Sequence, residues 1–417
     1  MKFIHFSLPN FTLAFLLVGL PIIFALREYV PVSKTLFTYA IVGLMLVAFV
    51  NYKNIFVLKF NSNKPLIFSL LLSMLFILFL IFYVFSETKM QHFSEAMYIF
   101  ITLFTLIALS TRKMHEFVLF PYYLMIISSI TTVITFLTTP LSFDFWLLNG
   151  GRLYVGDTEN PNLSSFIALM NVLSIIFYFH FAKIKIKFLT KLILVAIAFA
   201  SLYIYFLSFS KSSLLGFMMG LLFLIPSTFY KKRKFLKMIG ALILLIIIVL
   251  ISFPDFLEKI SKKMMILAQA FDSYFFGEYE NLASDSAAIR HENVTQMLYL
   301  LPKVDLFHGY GIFTTRADLP PLQVFTDLGI LLGFLNLFVM VLIPLYILFK
   351  QRSILKTYIN DPLYPLYLMS IVTFIFYLPN LFFHGTPYEL SIWLPILILY
   401  KFAPWHKKVN YVSLQIL

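Results

Sequence analysis

LTKLILVAIAFASLYIYFLS, residues 189–208, is a run of 20 residues that is apolar almost throughout and long enough to cross a bilayer as a helix. Similar runs recur along the chain, and hydrophobic residues make up 61% of its 417 residues. Only 12% are charged, well below the ~25% of a soluble domain, which excludes a soluble globular class. Because lipid offers no hydrogen bonds to an open backbone, the sequence predicts an all-α, polytopic membrane helix bundle.

About twelve membrane-spanning helices are predicted, in a single membrane domain that covers residues 1–417. We expect that the first run is not a cleavable signal peptide, because it lacks a convincing small-residue cleavage site and further spans follow it closely. The predicted spans are 9–26, 34–51, 65–85, 94–110, 116–138, 162–182, 189–208, 212–230, 236–253, 322–349, 363–383 and 388–402.

The basic residues predict the orientation of these spans. With the N-terminus inside, the inner segments hold 21 of the 32 Lys and Arg residues, although the outer loops contain more residues. Both termini are therefore predicted to be cytoplasmic, with two long loops outside, 139–161 and 254–321. Basic loops that face anionic lipid account for the net charge of +13, so no nucleic-acid partner is required.

The larger outer loop is predicted to contain short helices that lie against the membrane. Helix-like apolar spacing occurs in 256–271 and again from Ile289 to Leu301. Asp285 or Ser286 is expected to cap a helix that carries Arg290 in its second turn and ends before Pro302.

Several reaction chemistries are excluded by the composition. The chain has no cysteine, so it forms no disulfide, thiolate nucleophile or zinc–cysteine site. Its eight histidines show no metal-binding spacing, and the sequence has no phosphate-binding loop of the GxxxxGK[ST] type. We therefore expect neither a metal nor a cofactor.

Cationic side chains in the outer loops are candidates for binding phosphate. Three of the seven arginines, Arg152, Arg290 and Arg316, lie in the two long outer loops, and a guanidinium suits bidentate contact with phosphate. The alternative is that each is merely solvated. Lys211 stands at a tight outer hairpin among four serines, where it either meets a lipid headgroup or only snorkels from a helix end.

Asp327 lies in the outer half of the predicted span 322–349. An acid inside a span is costly unless it is paired, so Asp327 is a functional candidate. The competing explanation is that this segment serves helix packing, through the small residues Gly329 and Gly333.

The order of these motifs resembles one family. Arg152-x3-Gly with the Asn160-Pro-Asn162 turn comes first, followed by Ser-x-Ser-Lys-Ser-x-x-x-Gly at 208–216. A long outer loop with Arg290, a proline and Gly309-Tyr-Gly then precedes Leu-Gly-Ile-x-x-Gly at 328–333. Over roughly 150–335 the chain is similar to the O-antigen polymerase and O-antigen ligase superfamily of bacterial membrane glycosyltransferases.

The resemblance implies metal-independent transfer of a saccharide from an undecaprenyl-diphosphate donor at the outer face of the inner membrane. By position, Lys211 and Arg290 match basic residues that act on the diphosphate, and Arg152, Asn160 and Asn162 match an earlier substrate-binding loop. Arg316 and Asp327 join this predicted site, although Asn162 is alternatively an N-cap. A chain-length regulator and a flippase are the expected partners, beside membrane lipid.

One departure bears on the kind of transferase. Ligases of this family carry a histidine shortly before the Leu-Gly-Ile helix, whereas 317–321 here reads Ala-Asp-Leu-Pro-Pro. A polymerase is therefore favoured over a ligase, and the general base is left among Asp318, Asp327, Glu292, His291 and His308. A polysaccharide-lipid flippase is the non-enzyme alternative, but the nearly uncharged spans and the long outer loop argue against it.

Overall fold

The computed structural model contains helices and no strand in the part of the chain that it describes. The described residues are 6–27, 29–31, 33–53, 71, 73–75, 77, 93–139, 153, 161–181, 187–208, 210–227, 240, 258, 261–262, 265, 282–311, 319–383 and 388–406. The helices are α1 Leu8–Val18, α2 Leu20–Arg27, α3 Lys34–Phe49, α4 Phe93–Thr111, α5 Phe120–Thr138, α6 Pro161–Phe181, α7 Phe188–Ser208, α8 Lys211–Ser227, α9 Leu282–Leu300, α10 Pro320–Leu328, α11 Ile330–Leu337, α12 Ile343–Leu355, α13 Tyr364–Tyr377, α14 Asn380–Phe383 and α15 Leu390–Phe402.

The predicted all-helical class is confirmed, with several apolar helices that could span a membrane. Among the described residues, five helices are long and apolar enough to cross, or six if α1 and α2 count as one bent span. The five are Met114–Thr138, Asn162–Phe181, Phe188–Ser208, Ile330–Gln351 and Tyr364–Phe382. The predicted spans 65–85 and 236–253 lie almost wholly outside the described residues, so the total of twelve remains a prediction.

The first predicted span, 9–26, is not a single helix. It breaks at Gly19, where α1 and α2 meet at a bend of 72°. Pro21 has no N–H to donate to Leu17, so the helical ladder cannot continue through this point. Thr131 of α5 donates its hydroxyl to the carbonyl of Val18 at 2.9 Å and so satisfies a group that the break exposes.

The predicted span 322–349 is also divided. Gly329 has φ +102° and separates α10 from α11, so Asp327 belongs to a short helix that precedes the span. An L side chain is strained at this φ, which is the physical reason for glycine there. Gly333 lies against the ring of Phe325, where a Cβ would overlap it, so α10 folds back closely on α11.

Residues 304–311 of the large loop run across the α10–α11 break, and we call them the strap. The strap makes four backbone hydrogen bonds with the ends of these two helices: Tyr310 N to Thr326 O (2.7 Å), Gly311 N to Asp327 O (3.2 Å), Ile330 N to Asp305 O (3.1 Å) and Leu331 N to Leu306 O (3.0 Å). Helix ends leave such groups unpaired, and the strap satisfies them. Gly309 permits the approach, since a Cβ there would overlap the backbone of Asp327.

A π-helical turn, Phe338–Leu342, links α11 to α12 within the span Ile330–Gln351. Pro344 follows it and has no N–H for the carbonyl of Val339, which lies five residues earlier, the spacing of a π-helical bond. The buried hydroxyl of Tyr400 donates to this carbonyl at 2.6 Å. Tyr400 therefore replaces the hydrogen bond that the proline cannot make.

Segments that were predicted to lie inside meet at one end of the bundle. Lys401 donates its Nζ to the Arg112 carbonyl at 2.7 Å, and Gln351 donates to the Pro404 carbonyl at 2.8 Å. Asn10 also donates to the Glu116 carbonyl, at 2.6 Å. The alternation of predicted spans is thus consistent with the contacts, although the side of the membrane stays a prediction.

Candidate functional site

Four residues of the predicted chemistry lie outside the described residues: Arg152, Asn160, Arg316 and Asp318. Arg290 lies in α9, but its side chain is not among those described. The expectation that Asp285 or Ser286 caps this helix is wrong, because α9 already extends back to Leu282. The helix does end before Pro302, as expected, and a 3₁₀ turn follows it.

The apolar face predicted for α9 is only partly buried. Met297 is fully buried, whereas Leu298 is 54% exposed. Because these two residues are neighbours in the helix and point in different directions, one part of the predicted apolar set faces away from the rest of the protein. α9 contacts α10, so the helix of Arg290 packs on the helix of Asp327.

Lys211 is exposed and is the first residue of α8, as expected for a residue at the turn between two apolar helices. The serines around it mainly hold that turn. Ser210 accepts a hydrogen bond from the Ser213 N–H at 3.3 Å, and Ser208 bonds Ser165 of α6 at 2.9 Å. These three serines near Lys211 are buried, so they do not form an open ring of donors around its ammonium.

Asp327 is 2% exposed and accepts two hydrogen bonds on Oδ2. The Tyr388 hydroxyl donates at 2.8 Å, and Gln323 Nε2 of the same helix donates at 3.3 Å. In the first of these bonds the buried hydroxyl of Tyr388 is the donor and the Asp327 carboxylate is the acceptor. The buried carboxylate is thus hydrogen-bonded, and its functional role stays a prediction.

A second carboxylate follows Tyr388 directly in the chain. Glu389 is half-buried at the start of α15 and accepts a hydrogen bond from the Ser391 hydroxyl at 3.0 Å. The side chain of Tyr377, at the end of α13, interacts electrostatically with this carboxylate. The segment between α14 and α15 thus carries two adjacent polar residues, one bonded to Asp327 and the other bonded to Ser391.

Asn162 lies at a small pocket, which we call the outer pocket because it is at the end of the bundle that is predicted to face outside. The helix α6 begins at Pro161, so Asn162 belongs to its first turn and the alternative that it is the N-cap is wrong. The described residues that line the outer pocket are Leu16, Leu17, Leu20, Asn162, Leu163, Phe166, Tyr377, Asn380, Ser391 and Leu394. Ser391 links this lining to Glu389 through its hydrogen bond.

Three predicted site residues, Asn162, Lys211 and Asp327, lie on helices that the fold brings together. α8 contacts both α6 and α14, and α14 contacts α10. Sequence reasoning missed the other members of the group: Gln323, Tyr377, Asn380, Tyr388, Glu389 and Ser391. One signal was available, because Glu389 is a charged residue at the start of the last predicted span, 388–402.

The general-base candidates named from the sequence are less favourably placed than Glu389. Glu292 and His308 are exposed, and His291 is half-buried on α9. Asp327 accepts hydrogen bonds from two side chains in the protein interior. Glu389 is the described carboxylate that combines partial exposure with a link to the lining of the outer pocket.

The described residues contain no group of three or more His, Cys, Asp or Glu side chains arranged to hold a metal ion. The chain matches no protein-family model, no curated protein and no solved structure.

Proposed function

We propose that the protein is a polysaccharide polymerase, which joins undecaprenyl-diphosphate-linked oligosaccharide repeat units at the outer face of the bacterial inner membrane. The motif order from Arg152 to Gly333 supports this assignment. The structural observation that carries it is the outer pocket, which lies beside Glu389 at the end of the bundle where Lys211 and Asp327 also lie. A site at the membrane edge would leave the lipid tail in the bilayer while the saccharide lies among the outer loops.

The reaction requires three events at one carbon. An acceptor hydroxyl attacks the anomeric carbon of the donor sugar, a new C–O bond forms, and the bond to the diphosphate breaks with its electron pair on the leaving oxygen. Glu389 is assigned as the base that takes the hydroxyl proton. Half-burial next to Ser391 places this carboxylate within one hydrogen bond of the pocket lining.

The leaving diphosphate develops negative charge as the glycosidic bond breaks. Fixed cations stabilise such charge, and in a partly desolvated site they contribute more than they do in water. Arg290 and Lys211 are assigned this role, with Arg152 and Arg316 as further contacts to the diphosphate and Asn160 and Asn162 as contacts to saccharide. No metal is required, because these permanent charges replace its electrostatic function.

Asp327 has a positioning role in this proposal. Its bond to Tyr388 holds the segment that carries Glu389, and the strap covers the same helix end. Asp327 would therefore act on catalysis through the placement of Glu389.

Deletion of the gene tests the proposed function through the envelope glycan profile. A lost polymerase leaves single repeat units attached to the lipid core, and wild-type protein restores long chains. A lost ligase leaves polymer on the lipid carrier, and a lost flippase leaves no repeat unit on the core; either profile would reject the proposal. Glu389→Gln at normal abundance should give the same single-repeat profile as the deletion, with Glu258→Gln, exposed on the large loop, as the control.

A further inference from the structure

The strap carries two large apolar side chains that the protein does not cover. Leu306 is 52% exposed and Phe307 is 65% exposed, whereas Val304 of the same segment is buried. The strap therefore has one side that packs on the protein and an apolar side that faces away from it. Apolar surface in water is unfavourable, and adjacent exposed apolar residues mark a surface that meets lipid or another protein.

The depth of the strap in the membrane follows from the helix that it contacts. The span from Ile330 to Gln351 has 22 residues, which measure about 33 Å as a helix, close to the ~30 Å of the hydrocarbon core of a bilayer. Ile330 therefore lies at the edge of the hydrocarbon. The first two residues of this span donate their N–H groups to the carbonyls of Asp305 and Leu306, at 3.1 and 3.0 Å, so the strap lies at the same edge.

The exposed face of this span leads directly to the strap. Only 39% of the most apolar part of the span is buried inside the protein, so much of its surface is left for lipid. Large side chains recur on one face at helical spacing and are exposed: Leu331, Phe334, Phe338, Leu342, Tyr346 and Phe349. Because the N–H of Leu331 bonds the carbonyl of Leu306, the apolar pair of the strap stands at the end of this lipid-facing surface.

The residues around the pair are those of a membrane–water interface. Lys303 holds its Nζ 3.3 Å from the centre of the Tyr299 ring, and the Tyr310 hydroxyl donates to the Lys303 carbonyl at 3.3 Å. Both tyrosines are exposed. Tyrosine is enriched at the headgroup level, and a lysine there extends its amine toward water. Asp305 and His308, which flank the pair, are also exposed, as suits this level and not the bilayer centre.

We infer that Leu306 and Phe307 insert into the membrane leaflet at this end of the bundle, which is the outer leaflet in the predicted orientation. Their side chains contact the lipid acyl chains just below the headgroups. The strap thus fastens the end of the large loop to the bilayer as well as to α10 and α11. Since α9 precedes the strap and contacts α10, the insertion also holds the helix of Arg290 close to the headgroups. The insertion itself does not rest on the proposed function.

Fluorescence quenching tests the insertion without turnover. The chain has no cysteine, so an introduced thiol carries the only label. Leu306→Cys and Phe307→Cys are labelled with bimane in phosphatidylcholine nanodiscs. Two quenchers are compared: a phosphatidylcholine with a nitroxide near the top of its acyl chain, which acts from within the leaflet, and iodide, which acts from water.

Two exposed positions serve as matched controls. Leu342→Cys lies on the lipid-facing surface in the middle of the span, and Asn360→Cys lies in the turn between α12 and α13. The labels at Leu306→Cys and Phe307→Cys should lose fluorescence to the nitroxide lipid and resist iodide, as Leu342→Cys resists it, whereas Asn360→Cys should lose fluorescence to iodide. Iodide quenching at Phe307→Cys equal to that at Asn360→Cys would place the strap in water. Protection from both quenchers would mean that a second copy or another segment covers it; both results overturn the inference.

A change at the neighbouring residue tests whether apolar contact with lipid holds the strap at its depth. In the labelled Leu306→Cys protein, Phe307→Asp adds a charge that is costly in hydrocarbon, so iodide should quench the label more strongly. Phe307→Leu keeps an apolar side chain and should leave the label protected. Equal iodide quenching in the two proteins would show that the backbone hydrogen bonds alone set the depth, and would overturn the insertion. A strap found in water would leave the glycan profile of the deletion strain unaffected, so this failure differs from failure of the proposed function.

Discussion

The hydroxyl of Tyr388 donates a 2.8 Å hydrogen bond to Oδ2 of Asp327, which lies 61 residues earlier in the chain. Both side chains are buried, and the bond joins α10 to the segment that leads into α15. Because the next residue is Glu389, this bond sets the position of the carboxylate beside the outer pocket. A contact inside the protein therefore determines a feature of its candidate site.

Tyr388→Phe should destabilise the protein by about 1.5–3 kcal/mol, because it removes a donor from a buried carboxylate. The measurement is the melting temperature in detergent, and glycan chain length should fall with it if the bond positions Glu389. Tyr52→Phe is the control, since that hydroxyl is exposed and bonds the Val47 carbonyl near the surface. Equal melting temperatures for wild type and Tyr388→Phe would contradict the assigned role.

Tyr400→Phe should destabilise the span Ile330–Gln351 by about 1–3 kcal/mol, the cost of leaving the buried Val339 carbonyl without a donor. Thermal unfolding in detergent measures it. Pairing the change with Pro344→Ala should recover part of the loss, because alanine restores the backbone N–H that proline lacks. Absence of any recovery in the double variant would show that Tyr400 does not replace that bond.

Reporter fusions at Lys234 and Lys303 should lie on opposite sides of the membrane. The first lies in a strongly basic predicted inner segment, and the second is in the predicted large outer loop. A reporter pair that is active only in the cytoplasm or only outside, such as green fluorescent protein and alkaline phosphatase, distinguishes the two. Finding both positions on the same side of the membrane would contradict the predicted orientation.

Arg290→Ala should abolish long glycan while the amount of protein in the membrane stays normal. If the guanidinium stabilises the leaving diphosphate, its loss should cost about 2.7–4 kcal/mol, or 100- to 1000-fold in rate, by analogy with an oxyanion-hole donor. Arg290→Lys should be intermediate or inactive, because a point charge cannot reproduce two parallel hydrogen bonds. Arg233→Ala, in a predicted inner loop, is the control; normal polymer from Arg290→Ala would make that arginine a solvated surface residue.

Polymer synthesis by purified protein in lipid should persist in excess chelator, because permanent cations are assigned the role that a metal has in other transferases. The measurement is chain elongation with and without EDTA. Complete loss of activity that a single divalent ion restores would reveal a metal site that the sequence does not show.

The sequence by itself determined the class of the protein and several local features. Each apolar run satisfies its own backbone once it is helical, so composition and run length suffice to predict an all-helical membrane protein. The sequence also singled out Asp327, since a carboxylate in an apolar helix is costly unless it has partners. The breaks in the first and tenth predicted spans were missed, although Gly19 with Pro21 and Gly329 are visible in the sequence.

The identity of each partner was decided only by the tertiary structure. Tyr388 bonds Asp327 across 61 residues, and the outer pocket draws its lining from segments as far apart as Leu16 and Leu394. No local pattern specifies such contacts, because they depend on which helix ends pack together and not on the period of any one helix. Local hydrogen bonding and the transfer of apolar side chains to lipid therefore allow the helices to be predicted from the sequence. The site, in contrast, consists of side chains that only long-range packing brings together.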